Sequence, residues 1–599
     1  MPVRPSPGDA PSLGNARLLR VASPKFSSSD PGGVRVVPSY PTGRDVLRES
    51  VRGQRRDVAL GSLLGSGHQI GEALVPVLIG VVIDRAVTKS DTGALVLWLG
   101  VLAVVYVGLA LSWRFGAWSG DRAAVRAEHA LRIALVRRVL HPGGGAEEGR
   151  LPGALANTAT EDAKRVGAVN MSVMYGISAL VGILTTAVVL LRTSVLLGLV
   201  VLLGTPVLLW LGHLLSKPLE TRSEAEQERA AHASAVAADL VAGLRILKGI
   251  GGESTAIARY RTTSRDSLQA TLKAARAQAF QSGMVLSLTG CLIAVVALVG
   301  GRLAAEGSIS LGQLVSAVGL SLFLLGPLEV LAWVNAELAQ GRASATRIAE
   351  VLATPHTVTA GDRTLAQPVR GAVRLTGVSH GGLREVDLDI ASGELLGVVA
   401  TDPAHATDLL RCLARRADPD TGTVELDGVC LRDLDPAEMR TAMLVAEHDA
   451  DLFEGTVRNN VTAAAPDSAD PEPAMAAAGV AQVAETLPDG EDTAVSERGR
   501  SLSGGQRQRV ALARALAADR PVLVVHDPTT AVDAVTEAGI ASGIREIRKG
   551  RTTVLVTTSP ALLSVTDRVV LLDDGRVTDT APHADLIARH ETYRAAVLA

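Results

Sequence analysis

Six stretches of this chain, roughly residues 58–83, 93–113, 166–191, 193–215, 277–301 and 309–334, are predominantly apolar. Each reaches the length of about 20 residues that an α-helix needs to cross a hydrocarbon core of about 30 Å. They all fall in the first 340 of 599 residues, so the chain cannot be one soluble core: its first half belongs in a membrane and its second reads as soluble α/β protein. Six runs of this length leave little room for the alternative that each is a buried helix of a soluble protein.

The connections between these runs are uneven. Those after the first, third and fifth are short and carry little charge; residues 84–92 and Arg192 alone are examples. Those after the second and fourth, about 50 and 60 residues long, are rich in Arg and Lys and have helical periodicity. The excess of basic residues predicts that these long connections, and with them both termini, lie in the cytoplasm. Their periodicity predicts that the membrane helices extend far enough inward to reach a soluble domain.

Residues 1–41 are rich in Pro, Ser, Gly and Arg and lack the apolar core of a secretory signal. The segment 1–45 reads as disordered, with an organellar transit peptide as the alternative. The predicted organisation continues with a transmembrane domain over 46–341, a linker over 342–368 marked by Pro355, Gly361 and Pro368, and a soluble domain over 369–599. A net charge of -3 supplies no basic field of the kind that nucleic-acid binders present. Cys291, Cys412 and Cys430 are too few and too scattered for a disulfide or zinc framework.

Ionisable residues inside the apolar runs include His68 and Glu72, one helical turn apart in the first, and Glu329, after Gly326 and Pro327 in the last. Ionisable groups at membrane depth are costly and face a cavity or a partner, which makes these three candidates for a substrate path. Mutual pairing near the cytoplasmic helix ends is the other reading.

After the linker, short β-branched runs at 395–400, 522–525 and 553–556 alternate with helical stretches, the pattern of a largely parallel sheet with crossover helices. Within it stands Leu502-Ser503-Gly504-Gly505-Gln506-Arg507-Gln508-Arg509, preceded by Glu497-Arg498-Gly499 and followed by a helical run. Glycines and a serine at a helix N-terminus let backbone amides and a hydroxyl approach phosphate oxygens. This octet is similar to the signature motif of the ATP-binding-cassette (ABC) family. From about residue 45 onward the helix count, the long inner connections and the motif order resemble a type IV, exporter-fold half-transporter. The resemblance implies an all-α six-helix transmembrane domain, packed in swapped fashion onto a partner. An α/β nucleotide-binding domain follows, with a helical subdomain around 466–518, and ATP and Mg2+ are the implied cofactors.

Other positions depart from what that family carries. The phosphate loop G-x-x-x-x-G-K-[ST] maps onto Ala400-Thr401-Asp402-Pro403-Ala404-His405-Ala406-Thr407, followed by Asp408. Ala400 and His405 occupy the glycine positions and Ala406 the lysine position, leaving Thr407 as the magnesium-side hydroxyl. A missing lysine removes charge-assisted hydrogen bonds of about 1.5–3 kcal/mol each, so affinity at this loop should fall at least about tenfold to a hundredfold. His526 and Asp527 stand where the family has a magnesium-binding Asp and a catalytic Glu. His448 replaces the glutamine of the glutamine loop, Thr558 the switch histidine, and no tyrosine follows His380 to stack on adenine. Asp533 retains its place in the D-loop at the implied dimer interface.

Such cassettes work as head-to-tail dimers, so an intact signature on a chain with altered hydrolytic positions implies a heterodimer. Ser503, Gly504, Gly505 and Gln506 would complete the site of a second half-transporter that has an intact phosphate loop and catalytic glutamate. The expected activity is ATP-driven movement of a small molecule or peptide, most simply export, with little hydrolysis by this chain alone. Import of iron-chelating compounds, a non-transporting sensor and a decayed cassette are the alternatives. The Ala-, Val-, Gly- and Arg-rich, Lys-poor composition suggests a high-GC bacterium, hence a multi-pass protein of the plasma membrane.

Overall fold

The structure is a computed structural model that describes residues 42–448, 451–466 and 469–598, with the side chains of 213 and 215–220 set aside; the predicted disorder of residues 1–41 lies outside it. Helix α1 (Gly43–Gly53) starts inside the segment 1–45 read as disordered, because Thr42 caps it and Asp45 lies in its first turn. It buries Val46 among Leu131, Val166, Ala345 and Ile348.

The membrane domain then comprises α2 (Arg55–Val82), α3 (Thr92–Val139), α4 (Pro152–Asn157), α5 (Ala163–Thr193), α6 (Val195–Ala242), α7 (Leu244–Ile250), α8 (Glu253–Ala305), α9 (Leu311–Phe323) and α10 (Leu325–Leu352). Helices α3 and α6 have 48 residues each and α8 has 53. At 1.5 Å per residue they measure about 72–80 Å, more than twice a bilayer core. The long basic connections are therefore mostly continuations of the helices themselves. Five helical segments among the described residues are long and apolar enough to span a membrane. The first predicted span, α2, completes the six by its place in the bundle, packed against α3, α5 and α9, although His68, Gln69 and Glu72 dilute its apolar character.

Small residues let α2 approach its neighbours. A Cβ at Gly65 would lie 2.3 Å from Ser178 Oγ on α5, and one at Gly80 would lie 2.2 Å from the Gly312 carbonyl on α9. The sixth predicted span is broken at Leu324. Pro327 has no N–H to give the Phe323 carbonyl one turn back, which accounts for the break between α9 and α10.

Helix α10 runs on to Leu352, ten residues past the Arg342 at which the sequence places the start of the linker. The polar residues there are one face of an amphipathic helix whose other face buries Ala345, Ile348 and Ala349. Arg347 on that stretch grips Asp162 bidentately, at 2.9 and 2.5 Å.

The cassette follows as β1 (Val373–His380), β2 (Leu383–Ile390), β3 (Leu395–Ala400), α11 (Pro403–Leu413), β4 (Thr421–Leu426), β5 (Val429–Cys430), α12 (Pro436–Ala442), β6 (Met443–Ala446) and β7 (Gly455–Thr456). It continues through α13 (Val457–Thr462), α14 (Glu472–Ala477), α15 (Val480–Glu485), β8 (Ala494–Val495), α16 (Gly504–Ala517), β9 (Val522–His526), α17 (Ala534–Ile547), β10 (Thr552–Val556), β11 (Arg568–Asp573) and β12 (Arg576–Ala581). One sheet has the order β12-β11-β3-β10-β9-β6, parallel except at β12; a second, antiparallel, has the order β2-β1-β4-β5. The central strands β3, β9 and β10 are apolar on both faces because both faces are covered. The carboxyl ends of β3, β6, β9 and β10 deliver Thr401, His448, Asp527 and Thr558 to one edge, where such sheets place their ligands.

Candidate nucleotide site and membrane cavity

The helix after β3 begins earlier than a phosphate cradle would allow. Asp402 is the N-cap of α11, its carboxylate accepting the Ala404 N–H at 2.8 Å, and Pro403 takes the first helical position, where a missing N–H costs nothing. The anion that a helix N-terminus favours is thus supplied by the chain itself. Ala406, at the lysine position, is 4% exposed and packs into the core with Leu409, Leu410 and Val398. Thr407 turns its hydroxyl onto its own helix, donating to the Pro403 carbonyl at 3.0 Å. His405 lies under Gly382, where an added Cβ would come within 2.5 Å of its ring, and Asp408 accepts the Gly382 N–H at 2.8 Å. Thr401 is occupied as well, donating to Asp573 at 2.7 Å. The β1–β2 turn is therefore held on α11 by packing on His405 of the altered loop and by a hydrogen bond to Asp408 just after it.

At the ends of β6 and β9, His448 Nδ1 donates to the Asp527 carbonyl at 3.3 Å and its ring lies 5.9 Å from that of His526. His526 Nε2 is 3.7 Å from the Asp527 carboxylate, and Asp527 has a positive φ of 42°. A cavity of about 220 Å³ opens beside this group, lined by Arg416, Glu447, His448, Gln508, Leu512 and His526 among others. Imidazole nitrogens suit Mg2+ poorly compared with carboxylate oxygens. Among the described residues no group of three His, Cys, Asp or Glu side chains is placed to hold a metal ion. Thr558 is exposed beyond the end of β10.

The signature is built differently. Ser503 caps α16 in a reciprocal box: its hydroxyl accepts the Gln506 backbone N–H at 3.3 Å, and the Gln506 side-chain Oε1 accepts the Ser503 N–H at 2.8 Å. The Gln506 amide also donates to Thr486 at 3.2 Å. Helix geometry leaves the Gly504 and Gly505 N–H groups without intrahelical partners, and Ser503 is exposed. A Cβ at Gly505 would come within 2.5 Å of the Ala531 carbonyl, so glycine is what lets the D-loop lie against the signature helix. Sequence reasoning missed Gln508, whose amide donates to Thr530 at 2.6 Å and accepts the Ala531 N–H at 2.8 Å. Its spacing from Gly504, one helical turn, was the available signal. Asp533 caps α17 by accepting the Thr536 N–H at 3.0 Å, and that bond holds its carboxyl below the ordinary range.

In the membrane domain His68, Glu72 and Glu329 line one cavity of about 510 Å³ among α2, α3, α5, α9 and α10. His68 Nδ1 donates to the Leu109 carbonyl at 3.0 Å, and its Nε2 lies 3.6 Å from Glu72. Sequence reasoning did not anticipate the wall of this cavity, where the rings of Trp113 and Tyr175, and of Tyr175 and Trp333, are 5.9 Å apart in each pair.

Two family descriptions match the chain: "ABC transporter transmembrane region" over residues 58–328 and "ABC transporter" over residues 383–530. A multidrug efflux ATP-binding/permease protein of Mycobacterium tuberculosis is 32% identical over 549 residues; the match takes in 90% of this chain but only 46% of that protein's length. An ATP-dependent lipid A-core flippase of Thiobacillus denitrificans is 30% identical over 394 residues, 64% of this chain and 68% of the flippase. Among solved structures, a bacterial Atm1-family ABC exporter with ATP bound superposes with a TM-score of 0.71 over 91% of this chain and 98% of its own, at 23% identity, a likeness of fold.

Proposed function

Since the chain belongs to the ABC transporter family, with its transmembrane and nucleotide-binding domains fused in that order, we propose that it is one half of a heterodimeric exporter whose ATP-hydrolysing site is completed in trans. The reading rests on one contrast: the signature keeps an open, glycine-lined helix N-terminus, whereas Asp402, Ala406 and Thr407 are all committed within their own domain. The residues at this chain's own phosphate loop do not fit a nucleotide triphosphate, because a carboxylate already caps the helix where a phosphate would sit.

The second half brings the lysine-bearing loop, the catalytic glutamate and Mg2+. This chain brings Ser503, whose hydroxyl, with the Gly504 and Gly505 N–H groups, holds the γ-phosphate of ATP seated on the partner. Gln506 fixes the cap, and Gln508 and Asp533 carry the state of that site into the D-loop. His448, His526, Asp527 and Thr558 remain as a non-hydrolytic counterpart on the other side. Closure and reopening of the paired cassettes move α3, α6 and α8, which reach from the cassettes through the bilayer. A relative named for efflux and another named as a flippase favour export of an apolar or amphiphilic compound from a bacterial plasma membrane, with both termini in the cytoplasm.

The test compares Mg2+-dependent ATP hydrolysis by the full chain alone with hydrolysis by the chain co-purified with its second half. The chain alone is expected at background and the pair active, with Ser503→Arg in this chain returning the pair to background. Comparable hydrolysis by the chain alone overturns the proposal.

A further inference from the structure

We infer that the cavity among α2, α3, α5 and α10 is a binding site for an amphiphilic organic monocation. This inference draws on the exporter reading for the fate of the ligand, not for its binding. The volume, about 510 Å³, is that of a site for one drug-sized molecule.

Its lining has a consistent sign. Glu72, Glu329 and His68 are the ionisable residues that line it apart from the Tyr175 phenol, and neither Lys nor Arg is among its lining residues. His68 Nδ1 is engaged by the Leu109 carbonyl at 3.0 Å, and its Nε2 lies 3.6 Å from Glu72, too far for a hydrogen bond. Among the described residues Glu329 has neither ion pair nor side-chain hydrogen bond. A carboxylate left without a donor among membrane-spanning helices is costly unless a cation supplies the missing partner.

The aromatic content reinforces this. The chain has only five Trp, five Tyr and five Phe in 599 residues, yet Trp113, Tyr175, Phe323 and Trp333 all line this one cavity. Three of them form a continuous wall, with 5.9 Å between successive ring centroids. Ring faces carry negative potential and attract desolvated cations while offering apolar area to the rest of the molecule. An anion would meet two carboxylates here, and a neutral ligand would leave Glu329 unpaired.

Two ions of matched shape and opposite charge provide the test: tetraphenylphosphonium and tetraphenylborate. Binding of each to the full chain in nanodiscs is measured by equilibrium dialysis, without nucleotide or second half, and empty nanodiscs are subtracted. Tetraphenylphosphonium is expected to bind saturably and at least about tenfold more tightly than tetraphenylborate; Glu329→Gln and Trp333→Leu should each weaken it about tenfold. Thermal unfolding of each variant confirms that it is folded. Equal saturable binding of the two ions by the unmodified chain, no saturable binding of the cation, or unchanged affinity in both variants overturns the inference. None of these results bears on trans hydrolysis, since no ATP is present, and loss of trans hydrolysis leaves the binding result standing.

Discussion

Ala406, the position that aligns with a phosphate-loop lysine, is a core residue in this fold. A lysine placed there would not create a phosphate site, because the side chain packs into the core with Leu409, Leu410 and Val398. Ala406→Lys is expected to cost about 2–4 kcal/mol of stability in denaturant unfolding and to leave ATP affinity, read by a fluorescent analogue, unchanged. A tenfold gain in affinity would mean that the loop rearranges into a cradle. Arg415 illustrates the converse, a charged residue with a purely structural post. It is 1% exposed and donates to the carbonyls of Thr359, Arg432 and Leu434 as well as to Asp418, joining the linker to the cassette. Arg415→Met strands those carbonyls and should cost about 3 kcal/mol, seen as a lower midpoint of unfolding. The sequence announces the signature residues because glycine and serine there have one use, an open helix N-terminus. It conceals Asp402, whose role was legible only in the pair Asp-Pro, a helix start that alignment to a phosphate loop obscures.

Helix α16 and the D-loop act as one unit through Gln508, which holds both Thr530 and Ala531. In the proposed heterodimer Gln508→Ala should lower ATP hydrolysis about threefold to tenfold while nucleotide binding is retained, the size expected when coupling rather than contact is lost. A second junction lies between the end of α3 and the linker, where the rings of His141 and His356 stack at 4.1 Å. Burial, and then the neighbouring positive charges of His356 and Arg138, lower the His141 pKa; burial and Arg138 lower that of His356. With folded values depressed, the unfolded chain binds more protons below about pH 6.5, so this junction contributes fully at neutral pH and loses stability as the pH falls. Proteolysis of the linker should therefore accelerate between pH 7.5 and pH 5.5, and His141→Gln with His356→Gln should flatten that dependence. Apolar run length made the membrane helices readable. Their continuations beyond the apolar runs were legible only as periodicity, since a helix that packs on neighbours needs one apolar stripe and not a continuous run.

The whole chain leaves surface that a single copy does not cover. At the tip of the α6–α8 hairpin, α7 turns 65° from the last turns of α6, and Ile246 and Ile250 on it are 70% and 74% exposed. Leu240, Val241, Leu244, Leu247 and Ile257 surround them with further apolar area. The two-domain order was readable because membrane and soluble segments differ in composition over hundreds of residues, whereas the destination of α7 was not, because pairing between chains leaves no periodicity within one of them. In the proposed heterodimer this tip lies against the second half's cassette, in the place that the cavity beside His448, with Leu444, Leu512 and Ala515, occupies in this one. Ile246→Asp combined with Ile250→Asp tests that arrangement. At such exposed positions the change should move the chain's own stability by no more than about 0.5 kcal/mol for each substitution. Two carboxylates placed in an apolar contact should nonetheless abolish co-purification with the second half and, with it, ATP hydrolysis by the pair. A doubly substituted chain that still co-purifies and supports hydrolysis would place the contact between halves elsewhere on the molecule.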